Sequence, residues 1–377
     1  MKIKESTLIF IYTLFYLFLN YLLGLFSLKA LNHIFHVNSI IFWIIFFILA
    51  LSSILTIYKN TYKKGFVYNS FYKIGSYWIS FFAYSIIAVP ILLILENFIN
   101  KFNTALGIRL IPFLFLYFIY ILIALLGTIK SIKPKITKYE IILSKDLKKD
   151  LNLILVSDIH LGNIVKNKRL IKMVNEINLL KPDLVLIAGD IVDSTLSPFL
   201  NHDMAKEFEN IKSTYGTFAA LGNHDFMTKS LNDMIRLLEE NSVKILRDEA
   251  TLINEDFYII GRDDITVKYR LKTPRKPLKE ILSPLDKTKP FILIDHNPAS
   301  INDSLNSKID LQLSGHTHKG QISPLNILTK KYYEIDYGYL KKGDFHIVVS
   351  SGFGTYGPPI RLGSKSEIVQ ITLKCKK

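Results

Sequence analysis

The chain has 377 residues, 49% of them hydrophobic, a mean hydropathy of +0.25 and a formal net charge of +15. The length allows two domains, and that hydropathy argues against a purely soluble chain. A single cysteine, Cys375, excludes an internal disulfide and a thiolate metal cage.

The charge is unevenly placed. Residues 1–139 hold 13 of the 47 Lys/Arg and only 2 of the 32 Asp/Glu. The remainder is near neutral and offers no large basic field for a nucleic-acid backbone, so nucleic acid is disfavoured as a partner. Four apolar stretches without charged side chains occur at residues 6–28, 39–58, 74–95 and 110–129. Each has about the 20 residues that a bilayer core requires. Pro90 and Gly107 are tolerable there, and a cleaved signal peptide fits the first stretch poorly because three more follow. Flanking cations set the expected orientation. Lys2, Lys4, Lys59, Lys63, Lys64, Lys73, Lys130, Lys133, Lys135 and Lys138 fall on one side; Lys29, Lys101 and Arg109 fall on the other. The expectation is a multi-pass membrane protein with its C-terminal domain in the cytoplasm. No acid interrupts a span, and His33 and His36 are expected in the first outer loop. This pattern favours an anchor over a transport path.

From about residue 151 short apolar runs alternate with amphipathic stretches, which predicts layered α/β structure. Strands are expected at residues 151–157, 183–188, 218–221, 257–260, 291–294, 311–313, 345–350 and 368–373. Helices are expected at 167–179, 203–212 and 229–240. Polar residues cluster immediately after five of the strands. Asp158 and His160 follow the first, Asp190 and Asp193 the second, Asn223 and His224 the third, His296 the fifth, and His316 and His318 the sixth. In layered α/β folds such strand-end loops share one edge, where ligands bind. Carboxylate, amide and imidazole donors without thiolate suit Mn, Fe, Zn or Co better than Ca. Seven ligands exceed the needs of one ion and suffice for two if a carboxylate bridges.

The five blocks Asp158-Ile159-His160, Gly189 to Asp193, Gly222 to Asp225, His296 and Gly315 to His318 resemble, in order, the calcineurin-like metallophosphoesterase superfamily. The resemblance covers roughly residues 151–373 and implies a four-layer αββα sandwich over residues 140–377; the apolar stretches put a four-helix transmembrane region before it, over residues 1–139. It implies two divalent ions, Mn, Fe or Zn. Asp158, His160, Asp190 and His318 would hold one; Asp190, Asn223, His296 and His316 would hold the other, with Asp190 bridging. It gives His224 the role of protonating the leaving group, with Asp193 orienting it. The reaction implied is attack of a metal-bridging hydroxide on phosphorus. Ser194 stands where many members carry Arg, which leaves the phosphate one cation short; Arg361 or Lys319 could fill that gap. The tail 351–361 is similar to that of a membrane-linked bacterial branch whose activities include cleavage of UDP-diacylglucosamine at its pyrophosphate.

The expected function is a membrane-anchored hydrolase of phosphate esters or pyrophosphates on a lipid-linked or nucleotide-linked substrate. A nuclease and a non-enzymatic metal-bound scaffold are the alternatives. Asp225 is expected to cap a helix, and Asp295, His202 and His346 to be structural. The Gly352-x-Gly354-x-x-Gly357 spacing is followed by Pro358 and Pro359, so it is read as a loop and not as a dinucleotide site. The charged stretch 262–289 is a solvated surface insertion, a basic cap over an anionic substrate, or a patch against anionic lipid headgroups.

Overall fold

The computed structural model describes residues 5–54, 65–100 and 111–375. The chain divides into two compact units, Met1–Leu126 and Gly127–Lys377.

The first unit is helical: α1 (Glu5–Ile34), α2 (Ser39–Ser52), α3 (Phe66–Asn100) and most of α4 (Ile111–Ile132). Among the described residues three segments are long and apolar enough to cross a membrane, Thr7–Asn32, Val67–Leu95 and Phe115–Ile132. The second expected span appears as the 14-residue α2, shorter than a bilayer needs. Its remainder at 55–58, with Leu110, Gly107, Lys2, Lys4, Lys59, Lys63, Lys64, Lys101 and Arg109, lies outside the described residues. His33 falls within α1 and not in a loop. The few polar side chains face one another. Trp78 Nε1 donates to Asn20 Oδ1 at 2.9 Å, and Tyr16 and Ser53 share a hydroxyl bond of 2.6 Å. Ser80 and Tyr120 do likewise at 2.6 Å. Gly75 brings α3 against α2: a Cβ there would stand 2.2 Å from the Ser52 carbonyl oxygen. Small residues and hydroxyl pairs are how helices associate where apolar burial gives no net drive.

The second unit contains two six-stranded sheets, ordered β1-β12-β2-β3-β4-β5 and β10-β11-β9-β8-β7-β6. The first comprises β1 (Lys135–Ile142), β2 (Leu151–Val156), β3 (Leu184–Ala188), β4 (Thr217–Ala220), β5 (Val243–Ile245) and β12 (Glu367–Lys374). The second comprises β6 (Glu249–Ile253), β7 (Phe257–Gly261), β8 (Phe291–Ile294), β9 (Leu311–Ser314), β10 (Gly338–Lys342) and β11 (Phe345–Val349). Alternation along the strands separates three apolar layers. In β2, Leu153 and Leu155 meet Ile259, Ile292 and Leu313 of the other sheet, while Ile154 and Val156 turn to the outer helices. Those outer helices are α5 (Asn167–Leu179), α6 (Leu196–Asn201) and α7 (Leu231–Glu240). The far face of the second sheet packs on α9 (Leu278–Leu282) and α10 (Ile301–Asn306), after the short α8 (Val267–Arg270). A last helix, α11 (Leu325–Tyr332), has no buried residue. The four layers are therefore α, β, β, α, as expected.

Several details differ from the sequence reading. Residues 203–212 form a 3₁₀ turn at Met204–Asn210 instead of an α-helix, entered through Asp203 at φ 46°. The Lys-rich segment 130–138, which showed no strand in the sequence, joins two elements: Lys130–Ile132 ends α4, and Lys135 begins β1, parallel to β12 at the sheet edge. An edge strand with solvent on one flank tolerates Lys135, Lys138 and Glu140, which hides its alternation.

Candidate metal centre

Strands β2, β3 and β4 run parallel in one sheet, and β8 and β9 run parallel in the other. Their C-terminal ends converge, so residues far apart in sequence meet. The loops turn sharply. Asp158 and His160 have φ 50°, Asp190 53°, His316 70° and His318 50°. Non-glycine residues seldom take this left-handed backbone, and its clustering marks a site whose surroundings impose it. Glycine is needed beside them for space: a Cβ on Gly222 would stand 2.2 Å from Asp190 Oδ1, and one on Gly315 2.3 Å from Asp158 Oδ2.

Three overlapping triads result: Asp158, His160 and His318; His160, Asp190 and His224; Asp158, Asp190 and His296. Within each, one donor atom per residue lies within 4.8 Å of the others, and all these residues are buried. His318 Nε2 is 3.4 Å from Asp158 Oδ1 and 3.1 Å from His160 Nε2. Asp190 Oδ2 is 3.4 Å from His296 Nε2 and 3.7 Å from His160 Nε2. Asn223 Oδ1 joins the second side, 3.2 Å from His296 Nε2 and 2.9 Å from His316 Nδ1. All eight residues from Asp158 to His318 named as ligands or acid thus fall in one cluster. Their outer atoms are fixed: His296 Nδ1 is 2.7 Å from the Ala188 carbonyl, and the His316 amide donates to both Asp158 oxygens at 3.1 Å. Such outer contacts set which ring nitrogen is free for a metal.

The electrostatics suit cation binding. Burial pushes the Asp158 carboxyl up to about 6, with His296 pulling it back and Asp190 adding to the rise. Burial also acts on Asp190, but His296, His224 and His160 outweigh it and hold this carboxyl well below its ordinary range. Burial lowers His316 to about 4; burial, His160 and Arg361 lower His318 well below its usual value. Neutral imidazoles at His316 and His318 beside two buried carboxylates are the protonation pattern a divalent ion needs, whereas at His296 Asp190 and Asp158 outweigh burial and hold the ring well above its usual value, so this ligand sheds a proton on binding.

Around His224 the arrangement departs from expectation. Ser194 Oγ is 2.5 Å from His224 Nδ1, whereas Asp193 Oδ1 is 3.6 Å away. Ser194, noted in the sequence only for the Arg it replaces, is thus the nearer partner. Tyr356 adds a ring 4.7 Å from that of His224; nothing in its local sequence signals this. Asp225 is not a helix cap but a staple between loops. Its carboxylate accepts from the amides of Val192 and Gly222, both at 2.9 Å, and of Ile191 at 3.3 Å.

Arg361 does not supply a phosphate cation. It is fully buried and donates to the carbonyls of Ser351, Gly352 and Gly354 at 2.6–3.0 Å, with Nη2 3.2 Å from His318 Nδ1. Its work is to brace the 351–361 loop behind His318. Lys319 holds its ammonium 4.2 Å over the Tyr337 ring. Gly354 presses on the Ile159 carbonyl, and no helix follows the glycines. In the 262–289 stretch Arg262 and Arg275 turn inward to Asp295, at 3.4 and 3.1 Å, while Lys268, Arg270, Lys272 and Lys276 stay exposed. His346 faces the Tyr339 hydroxyl at 2.7 Å, and neither it nor the exposed His202 belongs to the triads.

The family model for calcineurin-like phosphoesterases matches residues 151–320. An uncharacterized metallophosphoesterase of Aquifex aeolicus is 33% identical over 269 residues, 69% of this chain and 99% of that protein. One of Campylobacter jejuni is 37% identical over 238 residues, 62% of this chain and 61% of its own length. A zebrafish protein described as a transmembrane protein with metallophosphoesterase domain is 34% identical over 269 residues, covering 67% and 60%. The chain therefore spans about three fifths of the length of these last two relatives.

Proposed function

We infer the activity from the premise that this chain belongs to the calcineurin-like metallophosphoesterase family: it is a metal-dependent phosphoesterase, and its substrate is lipid-linked or nucleotide-linked. The observation that carries the reading is the overlap of the triads, in which Asp158, His160 and Asp190 each belong to two. We assign one ion to Asp158, His160, Asp190 and His318, and a second to Asp190, Asn223, His296 and His316, with Asp190 bridging. Mn, Fe or Zn suits these donors. Two such ions, when bound, supply activation of water and neutralisation of charge on the phosphoryl oxygens.

The chain's own residues do the rest. His224 gives a proton to the departing oxygen. For that step His224 carries a proton on both nitrogens: Nδ1–H donates to Ser194 Oγ, the proton on the other nitrogen is transferred, and the ring ends as neutral imidazole. Asp193, 3.6 Å away, stabilises the ring while it is charged. The Asp225 staple holds the Asp190 loop against the Asn223 loop. The outer face of the cluster is narrowed by Tyr356.

Membrane association rests on the three long apolar helices. We propose an anchoring region within residues 1–139 and a catalytic domain within 140–377, cytoplasmic by the lysine excess on that side. A membrane-bound relative is consistent with this. The test is hydrolysis of bis(p-nitrophenyl) phosphate by the full-length protein with Mn²⁺, followed by a screen of lipid pyrophosphates and nucleotide sugars. Metal-dependent cleavage lost in Asp190→Asn is expected; full activity in that variant would overturn the assignment.

A further inference from the structure

A basic cavity of about 280 Å³ lies at the foot of α4, away from the metal ligands in its lining. Lys130, Lys135, Lys319 and Lys365 line it, with Tyr337 and Glu367. None of the four ammonium groups forms an ion pair among the described residues. Glu367 offsets only one of these four charges, and its oxygens are already engaged by the Thr137 hydroxyl, the Tyr337 hydroxyl at 2.8 Å and the Ser351 amide at 3.0 Å, so an excess of positive charge remains. Four cations around one cavity repel each other, and a shared anion converts that repulsion into attraction.

A second feature adjoins it. Helix α11 exposes Leu325, Ile327, Leu328 and Tyr332 at 52%, 64%, 61% and 79%, with Lys330 and Lys331 in its last turn. Gly363 of the cavity wall abuts this helix: a Cβ there would stand 3.0 Å from Asn326 Cβ. A cationic cavity alone would suit any phosphate. A cationic cavity beside an exposed apolar helix suits a phosphate carried on apolar chains. The depth agrees, since Lys130 lies in the last turn of a candidate membrane span that ends at Ile132. Lysines at such ends reach the headgroup layer.

We propose that this cavity binds the headgroup phosphate of an anionic phospholipid while α11 rests its apolar face in the adjoining boundary of headgroups and acyl chains. The site is separate from the metal centre. It borders the same 351–361 loop, because Arg361 bonds Ser351, Ser364 and Lys365 on its wall.

The test uses the full-length protein in a nonionic detergent. It is titrated with phosphatidylglycerol and with phosphatidylcholine, and bound lipid is counted by native mass spectrometry. Selective retention of phosphatidylglycerol is expected, about tenfold weaker in K135E/K365E and in I327E/L328E. Lys135 and Lys365 are exposed, and K135A/K365A with its far-UV circular dichroism checks that the fold survives. Equal retention of the two lipids, or retention of phosphatidylglycerol unchanged in K135E/K365E, overturns the proposal. So does inorganic phosphate that binds in a K135E/K365E-sensitive way without any preference for phosphatidylglycerol.

Discussion

The two units invert each other. In the helical unit the outward side chains are apolar, such as Phe10, Ile94 and Phe118 at 62%, 70% and 63% exposed, and the polar groups meet inside. In the sandwich Leu153, Ile187 and Ile292 are buried within a percent of completely. Its buried Asp158, His160, Asp190, His224, His296 and His318 converge on one edge at strand ends. The contrast shows that a buried polar residue means different things in each. Asn20 and Tyr16 join helices where packing alone provides attraction. Asp158 and Asp190 sit among imidazoles at a point where a bound cation would balance their burial.

The sharpest way to break this comparison is at Asp190. Asp190→Asn, which removes the shared carboxylate, is expected to lower hydrolysis about 10²–10³-fold while the protein stays folded. Initial rates on a soluble diester measure it. Next is Arg361→Met, which strands the carbonyls of Ser351, Gly352 and Gly354. A loss of about 3 kcal/mol in the stability of the second unit follows, seen as an early thermal transition.

Much of this site was readable before the fold was known. Strands β3 and β8 are buried on both faces and show as unbroken apolar runs, β2 and β9 are apolar but for Asn152, Gln312 and the terminal Ser314, and all four are followed within two residues by Asp or His. The order of those endings carries the family. What stayed hidden depends on tertiary neighbours. Arg361 looks like a free cation because sequence does not report burial. Ser194 looks like a loss until its hydroxyl is seen against His224. Strands β1 and β10 alternate weakly because charged residues are acceptable at an edge. The left-handed turns at Asp158 and His160 carry no glycine within them to announce them.

Smaller effects sharpen the comparison. Ser194→Ala is expected to lower kcat about tenfold with KM little changed, because it loosens His224 without touching substrate binding. Asp158, pushed up to about 6, must lose its proton before a metal can bind. The apparent metal affinity therefore falls by about a further tenfold per unit as pH drops below that value, while His296, held protonated by Asp190 and Asp158, makes it rise more gently with pH above it. Calorimetric titration with Mn²⁺ between pH 5 and 8, a range chosen to be on the order of one unit or more either side, would show the break. Asn20→Leu, in the helical unit, should cost only about 0.6 kcal/mol and leave hydrolysis unchanged.

The most direct measurement is a count of metal. Elemental analysis of the purified full-length protein, reconstituted with Mn²⁺ and freed of excess ion, should find two ions per chain and fewer than two in Asp190→Asn. A wild-type count of one or none, or a variant that keeps both ions, would contradict a bridged pair at Asp190.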